Sequence, residues 1–534
     1  MKKNIKRSLG LLLCCLMLFT VAACSQSGGG DSSPSESLVP SETSSSGESS
    51  NPASAKNDLN IALTTDSGSL DPNYNSGYDF LYVLRTLYEP LWDTLDGNEF
   101  RYVLAKSVEM IDETTYTINL RDDVYFASGN KFTAEDVMFT IRKHNDRVGL
   151  SPHYRYIDLD KSIVHDDYTI ELILTEPSLS TMLNLEDCYI YDSKLYDEEN
   201  VSMTPYGSGP YELVSYVANS FVNVRLRDDY WGDTSGLIPN LNFKVLTEDS
   251  QRVNAIQTGE VDVARIPFQD VTFLQGINGV TVDLVPGTYT ATLHMNPTTT
   301  RNVFSELGVD ARSAIAHAID RQAIVDIAYE GFASVARGPI SINTPDAYPE
   351  LFGKGIYGEP DNGYNPELAR ELAISSGLVD YTPVLINNGS ALFKLIAEMV
   401  QADLSDIGVN CEVITLDSGS WLTYAFDEST WDMAVDFTDG ITAANAYRVW
   451  SQMLGGYMTS PWPGSDRYVE ILSTITQKYG AELDALYMEL TDIHTSSLPW
   501  FTLVDTVTPT AYNSDLKGWK PTPKAYIIFT DLSW

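Results

Sequence analysis

The chain is 534 residues long, 43% hydrophobic and 11% aromatic with a mean hydropathy of -0.14, which is enough apolar content for more than one core in a water-soluble body. Its 73 acidic residues against 34 basic ones give a formal net charge of -39, an excess that repels phosphate backbones and excludes nucleic acid as a partner. Of the five cysteines, Cys14, Cys15 and Cys24 fall in the N-terminal stretch. Cys188 and Cys411, with no CxxC spacing, read as buried free thiols and not as a disulfide or a zinc site.

Lys2, Lys3, Lys6 and Arg7 precede an apolar stretch from Leu9 to Ala23. That stretch is short of the roughly 20 apolar residues a membrane span needs, so residues 1–23 read as a signal peptide. Val21-Ala22-Ala23-Cys24 resembles a bacterial lipobox, which makes Cys24 the expected lipidation site. At about 0.8 kcal/mol per buried methylene, several acyl chains on one residue hold a protein at a membrane. Residues 24–57 are the lipidated cysteine and a Ser/Gly-rich tether without core-forming residues. As a flexible coil the tether reaches about 30 Å. The expected location is the outer face of the bacterial cytoplasmic membrane.

In chain order, period-2 alternation marks half-buried strands at Tyr116, Ile118 and Leu120, at Tyr168, Ile170 and Leu172, and at Val222, Val224 and Leu226. Thr133 and Asp136 have the spacing of a capping box and predict a helix start. Gly259 closes a short helix ahead of a strand over Val261–Val263. Ile315, Ile319, Ala323 and Ile327 recur on one helical face. Asn365-Pro366-Glu367 supplies a cap and a first-turn proline to a helix that Gly377 ends. Next come a strand from Pro383 to Ile386, a helix from about Ala391 to Ile407 ended by Gly408, and a strand from Val409 to Ile414. That βαβ unit implies parallel strands, hence an α/β fold whose strand ends can form a ligand crevice.

A series of short motifs runs through the body: Ser69-Leu70-Asp71-Pro72, Tyr88-Glu89-Pro90-Leu91, Leu104-Ala105-Lys106-Ser107, Leu120-Arg121-Asp122-Asp123-Val124 and Phe132-Thr133-Ala134-Glu135-Asp136-Val137. Gly207-Ser208-Gly209-Pro210-Tyr211, Tyr230-Trp231-Gly232, Gly259-Glu260-Val261-Asp262, and Arg312 with Ala318-Ile319-Asp320-Arg321 continue it. In this order they resemble the extracellular solute-binding proteins of family five, which include the oligopeptide-, dipeptide- and nickel-binding proteins of ABC importers. The resemblance implies a two-lobed periplasmic-binding-protein-like fold of the large three-domain type II variant, with a hinge and an interlobe ligand cleft. It implies a lobe I core from residues 58–90, 203–290 and 500–534, an inserted domain over 91–202, and lobe II over 291–499. It implies as partners a peptide or other small molecule and an ABC permease with its ATPase, no cofactor, and a monomer. Most motif residues read locally as keepers of the fold, such as the Gly209-Pro210 bend.

A lobe closing over a charged solute must meet its charge with an opposite one or with directed hydrogen bonds. In peptide-binding relatives an aspartate pairs with the peptide ammonium, downstream of a tryptophan that Trp421 matches. Trp431-Asp432 resembles the strand leading to that aspartate, but the chain then reads Ala434-Val435-Asp436-Phe437-Thr438-Asp439-Gly440 and lacks the usual aspartate-proline continuation. Asp439 is the first candidate for the role and Asp436 the second. Trp421 and Tyr424 are candidates for an aromatic cleft wall, and Asn75, Tyr78, Ser208 and Gly209 for first-lobe contacts.

An oligopeptide or dipeptide is the expected ligand. An oligosaccharide, stacked on some of the 31 tyrosines and 9 tryptophans, and a nickel chelate are the alternatives. No catalytic or metal-ligating residue is assigned. HExxH, GxSxG and GxxxxGK[ST] are absent and the six histidines are scattered, which leaves a secreted hydrolase only a dispersed carboxylate pair. A ligand sensor shares the features of an importer component.

Overall fold

The computed structural model describes residues 56–534 except 67, 73–77, 94–100, 147–153, 155, 297–302, 345–346, 348, 426, 428, 439–445, 447–448, 451–463, 479 and 521–526. The signal segment, Cys24, Asn75 and Asp439 therefore lie outside the described residues. No helix among the described residues is long and apolar enough to cross a membrane.

The body opens with β1 (Asp58–Leu63) and α1 (Tyr78–Leu87). A four-stranded antiparallel sheet follows, made of β2 (Ala105–Asp112), β3 (Thr115–Leu120), β4 (Ile163–Asp166) and β5 (Thr169–Ile173) in the order β2-β3-β5-β4. The alternation seen in the sequence buries Tyr116, Ile118 and Leu120 with Ile170 and Leu172 against Val137, Met138 and Ile141 of α2 (Ala134–Asn145). Asp136 starts that helix by accepting from the Thr133 N–H at 2.8 Å and the Thr133 hydroxyl at 3.0 Å.

The chain then returns to the sheet of β1. β6 (Tyr211–Val217), β7 (Phe221–Leu226) and β8 (Asn240–Val245) are antiparallel neighbours, and β8 runs parallel to β1. α3 (Asp249–Thr258) ends at left-handed Gly259 (φ 73°) and leads to β9 (Val263–Arg265) on the other edge of β1. That strand starts two residues after its expected position. Because strand side chains alternate, Leu59, Ile61 and Leu63 enter one core with Leu84 and Phe243, while Ala62 enters another with Ile256 and Leu274.

β10 (Val280–Met295) is 16 residues long and leads into the second half. The expected face from Ile315 to Ile327 is split there. α4 (Val303–Ala318) stops, Asp320 accepts from the Ala323 N–H at 3.0 Å, and α5 (Arg321–Ala328) begins, leaving Ile327 exposed. α6 (Pro366–Ser376) has the predicted ends, Asn365 accepting from the Leu368 N–H and Gly377 left-handed. The βαβ unit is present as β11 (Val384–Asn387), α7 (Ala391–Asp406) and β12 (Glu412–Thr415), with β11 and β12 parallel. The second strand begins three residues later than expected. α8 (Ser418–Ala425), β13 (Met433–Thr438) and β14 (Trp500–Asn513) complete the scaffold.

The strands run β12-β11-β13-β10-β14-β9-β1-β8-β7-β6, and β10 with β14 forms a ribbon through the middle. Residues 280–286 of β10 pair with 507–513 beside β9, whereas residues 290–294 pair with 500–505 beside β13. Between Pro286 and Thr290 the register slips. The second half has its own cores, one around Leu293, Ile315, Phe393 and Val400 and one around Trp421, Trp431, Trp450 and Trp500.

Two groups of residues pack away from their expected domain. Trp500, Phe501, Leu503 and Val504 belong to these second-half cores, because one continuous strand must serve both halves. Tyr189, Tyr191 and Val201 pack with Tyr88 and Tyr211 in the first half and not with the inserted sheet. Cys188 is buried as expected, but Cys411 is half-buried.

Candidate ligand site

The three parallel strands β12, β11 and β13 end on one edge, where the loop after β11 is bound to the end of β12 and to β13. The Asn388 side-chain amide, one residue past β11, donates to Asp436 Oδ1 on β13 at 2.7 Å. The Asn387 amide donates to Thr415 Oγ1 at the end of β12 at 3.1 Å. Gly389 sits at φ 75°, and a Cβ there would lie 2.4 Å from the Leu416 carbonyl oxygen, so this approach of two loops requires glycine. Ser390 accepts from the Phe393 N–H and caps α7, and Asp417 accepts from the Ser420 N–H at 3.0 Å near the start of α8. The carboxyl ends of parallel strands are where open α/β sheets place their ligands.

Asp436 is the buried charge at this edge, and its strand partner on β10 is Thr292. Phe437 next to it packs edge-on to Phe393 with ring centroids 4.5 Å apart and lies 5.4 Å from Tyr289 of the ribbon. Thr438, paired with Thr290, is 3% exposed, and its hydroxyl has no hydrogen-bond partner among the described residues. The edge therefore offers a carboxylate, a carboxamide and a hydroxyl next to the ribbon that joins the halves, while Phe437 faces the other side of the sheet and packs on the second-half core.

Among the described sequence candidates, Asp436 joins this cluster through its side-chain bond to Asn388. Trp421 on α8 is 7% exposed and closes the core with Ile386, Leu416 and Trp431, while Tyr424 on the same helix is 40% exposed. Tyr78 is the first residue of α1. Asn388 was not among the candidates. Its signal was the run Asn387-Asn388-Gly389-Ser390 between a predicted strand and a predicted helix.

The family model for the middle region of the bacterial extracellular solute-binding proteins, family 5, matches residues 99–456. This chain belongs to that family. It is 25% identical over 503 residues to the glutathione-binding protein GsiB of Salmonella paratyphi A, covering 90% of this chain and 95% of that one. The periplasmic binding protein DppA of Helicobacter pylori, solved with the peptide STSA, superposes with a TM-score of 0.74 at 22% identity over 90% of this chain and 98% of that one. NikA of Brucella suis, solved with Fe(III)-EDTA, gives a TM-score of 0.77 at 20% identity over 89% and 99%. The fold is the mixed α/β, two-lobed binding-protein fold.

In this family 5 protein the motif residues of the first half converge on one carboxylate. Glu89 accepts from the Tyr230 hydroxyl at 2.7 Å and the Trp231 indole N–H at 3.0 Å, and Ser208 lies beside it. Burial pushes its carboxyl up to about 7, against those donors and the nearby Arg227. Arg227 in turn donates to the Gly209 and Tyr125 carbonyls. A Cβ on Gly209 would lie 2.5 Å from the Thr86 carbonyl oxygen, so Ser208 and Gly209 are packed against the end of α1.

Two motif residues elsewhere also tie backbone. Arg321 spans the carbonyls of Ala336, Thr502 and Asn362, and Asp262 accepts from the Asn60 N–H at 2.9 Å.

Proposed function

We propose that this family 5 solute-binding protein of an ABC importer captures a small peptide between its lobes, held at the outer membrane face by a lipid on Cys24. The observation that carries the ligand class is Asp436, a buried carboxylate oriented by Asn388 at the strand edge. A buried carboxylate calls for a cationic or hydrogen-bonding group on its ligand, and a peptide ammonium supplies both. The neighbouring Thr438 hydroxyl suits a polar group of a peptide backbone. The separate cores support two lobes with an inserted domain, in which 58–90, 203–290 and the end of β14 form lobe I, the region from 91 to about 188 forms the insert, and 291–504 forms lobe II. Trp421 backs the site from the core, Tyr424 serves as an aromatic wall, Asp439 is the other candidate partner of the ammonium, and Asn75 and Tyr78 are candidates for contacts from lobe I. Ser208 and Gly209 support the scaffold. The chain catalyses no reaction, acts as a monomer and delivers its solute to the permease.

A thermal-shift screen of dipeptides to pentapeptides, reduced glutathione, cello-oligosaccharides and nickel-histidine chelate tests the ligand class. A ligand at 100 times its dissociation constant stabilises by about 2.7 kcal/mol, a shift of several degrees. The expected hit is a peptide, and stabilisation by sugar or chelate alone would refute the reading.

A further inference from the structure

The register of β10 with β14 is regular up to Pro286 and resumes at Thr290, so Gly287 lies at the slip where the ribbon passes from one half-sheet to the other. A backbone carbonyl that loses its ladder partner takes another donor when one is in reach. Gly287 O accepts from Asn343 Nδ2 at 3.0 Å and from Ser341 Oγ at 3.4 Å. Both donors lie just past Ile340, a core residue of the second lobe. The same short segment is tied to β14, since the Ile342 N–H meets Asp505 Oδ1 at 3.4 Å and Asp505 pairs with Thr290 at the far end of the slip. Thr506 Oγ1 donates to the Tyr289 carbonyl at 3.4 Å, so the slipped stretch is held from both sides.

We propose that Ser341–Asn343 is a latch on the hinge. Two-lobed proteins bend at a few residues that absorb large backbone changes, and a strand slip is such a place. While the latch holds the Gly287 carbonyl, the ribbon keeps one angle between its halves. When it lets go, the lobes swing. Ser341 and Asn343 are thus positioning residues, which set the fraction of molecules in the capture-ready shape and change apparent affinity through that population. The inference rests on the two-lobed fold and not on the peptide assignment, so the two can fail separately.

The test reads the distance between lobes without ligand. Spin labels at Val214→Cys on β6 and Ile374→Cys on α6, both exposed positions, report it by pulsed electron resonance. The full-length chain is used, with Cys14, Cys15, Cys24 and Cys411 replaced by serine and Cys188 by alanine. The double variant Ser341→Ala, Asn343→Ala is expected to broaden the interlobe distribution about twofold, and Ser341→Thr, which keeps the hydroxyl, to leave it as in the parent. An unchanged distribution in the folded double variant would overturn the latch. Should the double variant not fold, Asn343→Ala alone is read against the same two outcomes.

Discussion

Glu89 in the first half and Asp436 in the second are both buried carboxylates, yet their surroundings differ. Glu89 accepts from Tyr230 and Trp231 with Ser208 beside it, on the wall of a cavity of about 380 Å³ that Arg85 and Pro210 also line. Asp436 lies near the end of β13 at a strand edge, bound to the Asn388 amide and two residues from a buried hydroxyl, in a stretch where the resemblance to peptide-binding relatives lapses. On the proposed reading, the first carboxylate holds the body together and the second meets the ligand. Relatives with 18% to 25% identity have named ligands that range from glutathione to metal chelates, so likeness over the whole chain does not fix the cargo.

The largest expected effect breaks the first node. Glu89→Ala leaves the half-buried Tyr230 hydroxyl and Trp231 N–H without their acceptor, so denaturant unfolding should show a loss of about 1–3 kcal/mol. Asp436→Asn keeps an oxygen for Asn388 and should cost less than about 1 kcal/mol. Equal losses in the two variants would erase the contrast.

A smaller effect comes from titration. The Glu89 carboxyl is raised from 4.5 to about 7 by burial, and Asp505 at the hinge from 3.8 to about 7 for the same reason. Both folded values lie above the unfolded ones, so the folded chain holds more protons between roughly pH 4 and 7. These groups therefore lower stability progressively as pH rises through that window, and their contribution is flat above it. Unfolding midpoints at pH 5, 6, 7 and 8 should fall and then level in the parent, with a shallower slope in Glu89→Gln. An identical slope in that variant would remove Glu89 as a source.

Local chemistry made much of the scaffold legible. The Thr133–Asp136 cap, the Asn365 and Gly377 helix ends and the parallel βαβ unit follow from short-range rules that the tertiary structure does not override. The misreadings have physical causes. From Ile315 to Ile327 the apolar period continued through Asp320, whose capping bond to the Ala323 N–H breaks the helix. β14 serves two lobes because its partners arrive from both halves of the chain, which no local pattern encodes. The site was harder to read. Asp436 was visible as a carboxylate on a strand, but its contact with Asn388 joins residues 48 positions apart. Trp421 matched a wall residue by resemblance and packs in the core, since an indole on α8 serves either surface.

The most direct measurement is mass spectrometry of small solutes released on denaturing the native-host protein and its Asp436→Asn variant, each normalised to protein. Capture of a peptide at this strand edge predicts near-stoichiometric peptide from the parent and less than about a tenth of it from the variant. Equal peptide occupancy in both, or a non-peptide solute in the parent, would contradict it.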